Sequence, residues 1–158
     1  MGKGWIGVVV GAALLAACGT ESEAGTGGDG ATHAATFTEL RAQVFASCNS
    51  ALCHASAIPD SGNVILRQED AYAQEVYDNL VGAATELAAG RSQASVRVKP
   101  GDPEGSFLWW KLLGHDPADP DTPVAGLHMP NVCASAPCLP QAQLEMVRSW
   151  IAAGAKND

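Results

Sequence analysis

Cys48-Asn49-Ser50-Ala51-Leu52-Cys53-His54 is the stretch on which the interpretation of this chain depends most. It holds two thiols, and a histidine follows the second one directly. Thiolates are nucleophiles and soft metal ligands, and a neutral imidazole ring is the commonest metal ligand among side chains. The segment therefore predicts a covalent event at the two sulfurs, with an imidazole ring held beside it.

Three kinds of site fit this segment. A cysteine pair followed by histidine is how c-type haem is attached, with Cys48 and Cys53 bonded to the haem vinyl groups and His54 bound to the iron. The usual spacing is C-x-x-C-H, whereas this chain has C-x-x-x-x-C-H. The same residues fit a Cys48–Cys53 disulfide beside an exposed histidine. A tetrahedral zinc site would also need Cys133 and Cys138, and these spacings disfavour it.

A second segment, Leu127-His128-Met129-Pro130, offers another ligand for a haem iron. Met129 lies in a predicted loop, where there is little other reason for a methionine, and the proline after it restricts the backbone. A thioether is a soft ligand that favours ferrous haem and raises its potential. We therefore predict Met129 as the second axial ligand. His128 is the competing candidate, and His115 is a weaker one that we expect to be a solvated loop residue.

Cys133 and Cys138 follow Met129 closely and predict a local disulfide. The short loop between them allows the two sulfurs to meet. A second covalent haem is disfavoured, because Leu139 rather than histidine follows Cys138. The bond would restrain the loop that carries Met129.

The first residues have the pattern of an export signal. Lys3 precedes an apolar run over residues 6–16, which is shorter than the roughly 20 residues that a membrane-spanning helix needs. Leu15-Ala16-Ala17-Cys18 is similar to the lipobox of bacterial lipoproteins, in which the peptidase cuts before the cysteine and lipid is attached to it. We expect residues 1–17 to be a signal peptide and Cys18 to be the lipid anchor.

The rest of the leader region indicates a tethered, acidic envelope protein. Residues 18–35 hold the lipidated cysteine and a flexible linker rich in Gly, Ser and Thr, and the folded domain covers 36–158. The net charge is −8, and loss of Lys3 makes it one unit more negative. An acidic surface argues against nucleic acid and is compatible with a basic redox partner protein. Membrane association would come from the lipid, on the periplasmic or outer-membrane side.

Helical patterns follow one another along the predicted domain. A capping box at Thr36 starts the first helix, and residues 69–80 form another. Asp102 and the proline after it start a third helix, which Gly114 ends. The last helix begins near Pro140. Because no strand run of convincing length is present and residues 115–126 have the composition of a surface loop, the predicted fold is all-α with long loops.

The order of these features resembles the class I cytochromes c, especially the planctomycete-type cytochrome c domains of secreted bacterial proteins. The matching pieces are Phe37–Phe45, Cys48 with Cys53-His54, Val98–Leu108, Lys111-Leu112, Met129-Pro130 and Trp150–Ala155. The resemblance implies that the first and last helices cross and close a haem pocket. It also implies that His54 and Met129 lie on opposite sides of the iron.

The expected function is single-electron transfer by one covalently attached haem c, with no enzymatic reaction. The pocket would draw on five apolar side chains: Phe45, Leu108, Leu112, Val147 and Trp150. The alternative is a haem-free interaction module that is stabilised by two disulfides, Cys48–Cys53 and Cys133–Cys138. A haem enzyme or gas sensor would require Met129 to be absent from the iron.

Overall fold

The computed structural model describes residues 34–57, 59, 62–87, 89–131, 133 and 136–158. They belong to one compact unit, His33–Asp158. Its α-helices and strands, in chain order, are α1 (Phe37–Gln43), α2 (Ala73–Leu80), α3 (Phe107–Leu113), β1 (His115–Asp116), β2 (Asp119–Pro123) and α4 (Gln141–Ala152). Short 3₁₀ helices cover Phe45–Cys48, Asp70–Tyr72 and Gly90–Ser92.

The predicted signal peptide, the anchor at Cys18 and nearly all of the linker lie outside the described residues. Among the residues that are described, no helix is both long enough and apolar enough to cross a membrane.

The prediction of an all-α fold is wrong, because residues 115–126 contain a small antiparallel sheet. β1 pairs with β2, with His115 opposite Pro123 and Asp116 opposite Asp119. Recognition of a strand from sequence relies on alternating apolar side chains that bury one face. β2 is almost wholly exposed and has no such alternation, so only its backbone pairing reveals it. In its described part the chain therefore has a mixed fold, with four α-helices and a two-stranded sheet.

α1 begins where the sequence predicts. Thr36 Oγ1 accepts a hydrogen bond from the N–H of Glu39 at 3.1 Å, and Glu39 Oε2 accepts one from the N–H of Thr36 at 2.8 Å. This reciprocal pair is the predicted capping box, which satisfies two backbone donors at the start of the helix. After Gln43 the chain tightens into the 3₁₀ helix that ends at Cys48. α1 therefore leads directly into the first cysteine of the candidate site.

α4 packs against α1 in the main core. Leu144, Val147 and Ile151, which recur at helical spacing on one face, are all buried. Phe37 of α1 stacks on Trp150 of α4, with 5.6 Å between the ring centroids. Both rings are buried, and an aromatic pair of this kind stabilises the fold by about 0.5–1.5 kcal/mol beyond the burial of its area. The first and last α-helices of the described chain are thus in direct contact.

α3 begins later than predicted but ends as predicted. Its N-cap is Ser106 rather than Asp102. Asp102 instead stabilises a turn, because its Oδ1 accepts a hydrogen bond from the N–H of Gly105 at 2.9 Å. At the other end, Gly114 has a φ of +83°, a left-handed conformation that glycine adopts without steric cost.

The segment between α2 and α3 is held by single backbone bridges. Val98 bridges Val81, and Val96 bridges both Ala84 and Ser106. Val96 and Val98 therefore lie in a short extended segment. It places Arg97, the residue between the two valines, at the wall of the cavity described next.

Candidate functional site

A cavity lies between the 48–54 segment, α3 and the loop that carries Met129. Cys48, Cys53, His54 and Met129 all line it, although Met129 is distant from the other three in sequence. The fold thus brings together the four residues that the sequence assigned to one site.

The wall of the cavity is mainly apolar. Its apolar side chains include Phe45, Leu66, Leu80, Phe107, Leu108 and Leu112. Phe45, Leu108 and Leu112 are among the predicted pocket residues. Val147 and Trp150, predicted with them, do not line the cavity, because α4 packs them into the core against α1.

The imidazole of His54 is buried and has a fixed orientation. Its Nδ1 lies 3.0 Å from the backbone oxygen of Val64. A carbonyl oxygen can only accept, so Nδ1 carries the proton and the lone pair of the neutral ring is at Nε2. Burial lowers the pKa of His54, the hydrogen bond to Val64 opposes this shift, and the nearby charge of Lys111 adds to the lowering. The ring is therefore held neutral with Nε2 as its acceptor, the form in which histidine binds metals.

Cys48 and Cys53 are free thiols in this structure, and both are half-buried. The 3₁₀ helix Phe45–Cys48 presents the first thiol to the cavity. A turn at Ser50, whose oxygen accepts hydrogen bonds from the N–H groups of Cys53 and Ala55, then returns the chain to the cavity. Burial raises the pKa of Cys48, a hydrogen bond with Ser47 opposes this rise, and the proximity of Cys53 adds to it. The long spacing is thus accommodated by a turn that keeps both sulfurs at one cavity.

Met129 belongs to a later part of the chain, the loop that follows β2. Its backbone N–H donates to the oxygen of Lys111 in α3 at 2.7 Å. Both Met129 and Pro130 line the cavity. The loop is therefore attached to α3 at the very residue that the sequence proposed as a ligand.

The two competing histidines do not line the cavity. His115 lies on β1, and its Nδ1 is 2.8 Å from the backbone oxygen of Asp116. His128 turns towards Cys133 and Cys138, and a ring nitrogen and the two sulfurs lie within 4.8 Å of one another. Its Nε2 is buried and has no hydrogen-bond partner among the described residues.

The structure pairs Cys133 with Cys138 as a disulfide, with their Cα atoms 6.0 Å apart. That separation falls within the range that a disulfide requires. Disulfide sulfurs are not thiolates, so in this form the group with His128 is not a metal site. The pair instead closes the loop that follows Met129.

Two cations in the cavity wall were not part of the predicted site. Arg97 is buried and donates to the backbone oxygens of Asn79 and Gly62 and to the carboxylate of Glu86. Lys111 is half-buried, and burial lowers its pKa to about 8, so it is mostly protonated at pH 7. The only sequence signal was a charged residue within an apolar run in each case, at Val96–Val98 and Phe107–Leu113.

Comparisons with protein-family models, with curated protein sequences and with solved structures found no match to this chain.

Proposed function

We propose that this protein is an electron carrier with one covalently attached haem c. The observation that supports this most is that two free thiols, a neutral histidine and a methionine line one apolar cavity. In sequence these groups form two separate segments, and each segment alone also fits other functions. Their convergence on one cavity favours a single ligand that uses all four.

The donor set and the cavity fit a haem group. The polar groups of the cavity are few and are placed against apolar walls, as is usual for cofactor sites. A histidine nitrogen and a thioether sulfur are established axial ligands of haem iron.

Each lining residue has a distinct role in this proposal. Cys48 and Cys53 would hold the group by thioether bonds, in which each S–H adds across a vinyl group and no leaving group is needed. His54 would offer Nε2 to the iron, and its hydrogen bond to Val64 fixes the ring orientation. Met129 would offer its thioether sulfur, and the leucine and phenylalanine side chains would exclude water. When bound, haem iron supplies a one-electron ferric/ferrous couple.

Two side chains that could both hold the iron favour electron transfer over catalysis. If His54 and Met129 both held it, no position on the iron would be left for a substrate. A lipid at Cys18 would keep the carrier at the cell envelope, and the net charge of −8 favours a partner with a basic surface. Both the anchor and the partner are parts of the proposal.

The test is a spectrum and a denaturing gel of protein exported in a host with haem-attachment machinery. We expect Soret absorbance and a band that keeps peroxidase-type haem stain after denaturation. Cys53→Ala should lose much of the stain, whereas a Cys133→Ala/Cys138→Ala double variant should keep it, because those sulfurs lie outside the cavity. Wild-type protein without Soret absorbance, from a host proven to mature other c-type cytochromes, would refute the proposal. A Cys48–Cys53 disulfide in that protein would then favour the haem-free module.

A further inference from the structure

A lysine side chain joins α3 to the loop that carries Met129. The ammonium of Lys111 donates to the backbone oxygens of Ala125 and Leu127, at 2.8 and 2.7 Å. It also lies 5.4 Å from the centroid of the Phe107 ring, within the range of a cation–π contact. A charged donor makes hydrogen bonds roughly twice as strong as a neutral one, so these contacts are strong attachments for a loop.

The backbone of the loop bends at Gly126, beside the Lys111 ammonium. Gly126 lies between the two acceptor residues and has a φ of +73°. A Cβ atom there would lie 3.2 Å from Lys111 Nζ, so the ammonium would have to move by a few tenths of an ångström. A residue without a side chain therefore lets the two carbonyl oxygens approach one cation.

The same lysine also fixes the backbone of the candidate ligand, because its main-chain oxygen accepts from the N–H of Met129 at 2.7 Å. Lys111 thus makes three hydrogen bonds to residues 125–129. Lys111 and Met129 both line the cavity. The attachment is therefore made at the cavity wall rather than at a remote surface.

We propose that Lys111 is a positioning residue that holds the 125–129 loop on α3 so that Met129 faces the cavity. The proposal rests on the proposed function for the role of Met129 as a ligand, but the attachment itself is a property of the protein chain. Without the ammonium, the loop would keep one backbone bond to α3 and lose both side-chain bonds. Met129 would then dissociate from the iron more often, while attachment at Cys48 and Cys53 would be unaffected.

The first test does not depend on haem. Amide hydrogen exchange is measured for residues 125–129 in wild type, Lys111→Met and Lys111→Arg, with Lys156→Met as the control for loss of one positive charge. In Lys111→Met we expect exchange in the loop to accelerate by at least roughly tenfold, since a hydrogen bond from a charged donor is worth about one to two decades in an equilibrium constant. Lys111→Arg keeps a cationic donor and should restore most of the protection.

The second test uses haem-loaded protein and reads the sixth coordination position. In Lys111→Met, imidazole affinity should rise at least roughly tenfold and the reduction potential should fall, both towards the values of Met129→Ala. Lys156→Met should match wild type in both measurements. If Lys111→Met fails to fold, Gly126→Ala perturbs the same attachment with the lysine intact and should change both readouts in the same direction.

The outcomes separate the two proposals. Unchanged loop exchange in Lys111→Met would overturn the positioning role, whether or not the protein carries haem. Absence of haem from the wild-type protein would refute the proposed function and with it the ligand role of Met129, although the exchange result would still test the attachment. In Lys111→Met, the loop could exchange faster while the reduction potential and the imidazole affinity stayed unchanged. That result would show that Lys111 holds the loop without positioning Met129, and it would also overturn the proposal.

Discussion

Substitution of Arg97 by methionine should destabilise the protein far more than neutralisation of its carboxylate partner. The guanidinium donates to the backbone oxygen of Asn79 at 2.6 Å, to that of Gly62 at 2.8 Å and to Glu86 Oε1 at 2.9 Å. These acceptors belong to the end of α2, the segment after His54 and the segment before Val96. Arg97 therefore connects three parts of the chain beside the cavity.

The expected loss in the free energy of unfolding follows from how deeply Arg97 and Glu86 are buried. The side chain of Arg97 is only 7% exposed, whereas that of Glu86 is 48% exposed. Arg97→Met keeps most of the aliphatic volume but leaves two carbonyl oxygens without their donor, at about 1–3 kcal/mol each when the group is desolvated. The half-exposed ion pair adds at most about 1 kcal/mol. We expect a loss of about 3 kcal/mol in the free energy of unfolding for Arg97→Met and less than about 1 kcal/mol for Glu86→Gln.

Urea unfolding followed by tryptophan fluorescence measures both values. The chain has four tryptophans, and Trp109, Trp110 and Trp150 are buried, so their emission should report loss of the core. A change in midpoint at constant slope would show a change in stability rather than in the extent of unfolding. If the free energy of unfolding of Arg97→Met lay within about 0.5 kcal/mol of the wild-type value, as is typical of surface substitutions, the bridging role of Arg97 would be refuted. Equal losses for Arg97→Met and Glu86→Gln would refute it as well.

Three further predictions concern the cysteines. Cys18→Ala should abolish fatty-acid labelling in a bacterial host, and undiminished labelling would contradict the predicted anchor. Cys133 and Cys138 should be oxidised to a disulfide in exported protein, so detection of two free thiols there by mass spectrometry would exclude it. In haem-free protein, Cys48 should react with iodoacetamide more slowly than glutathione at neutral pH, because burial raises its pKa and leaves less thiolate; a rate equal to that of glutathione would count against the buried position.

Local chemistry made the helix ends accessible to sequence reasoning. The capping box of Thr36 and Glu39 requires only residues three apart, and the stop at Gly114 requires only one residue that tolerates positive φ. The prediction of Asp102 as the N-cap of α3 was wrong, because an aspartate before proline fits both a helix cap and a turn. The choice of the turn depends on contacts with Gly105 and Lys99, which a cap pattern does not record.

The sheet and the two cations in the cavity wall could not be predicted from the sequence for a different physical reason. β2 is defined by its backbone pairing with β1, and its side chains are almost all exposed. The hydrophobic pattern of the sequence therefore does not indicate this strand. Arg97 and Lys111 acquire their roles from backbone oxygens of distant residues, and any residue type supplies a backbone oxygen. The four candidate site residues could be named because thiol, imidazole and thioether chemistry belongs to the side chains themselves.

The neighbouring residues His128 and Met129 explain why ligand identity in this chain depends on loop placement. Both side chains are able to bind haem iron, and the sequence leaves both open. In the fold, Met129 lines the cavity, whereas His128 lies against the Cys133–Cys138 pair. A filled sixth position favours an electron carrier, and an open one would favour a gas-binding or catalytic haem protein. If haem is bound, the attachment of this loop to α3 is therefore what decides between those functions, because a methionine in the sequence fills the position only while its backbone is held at the cavity.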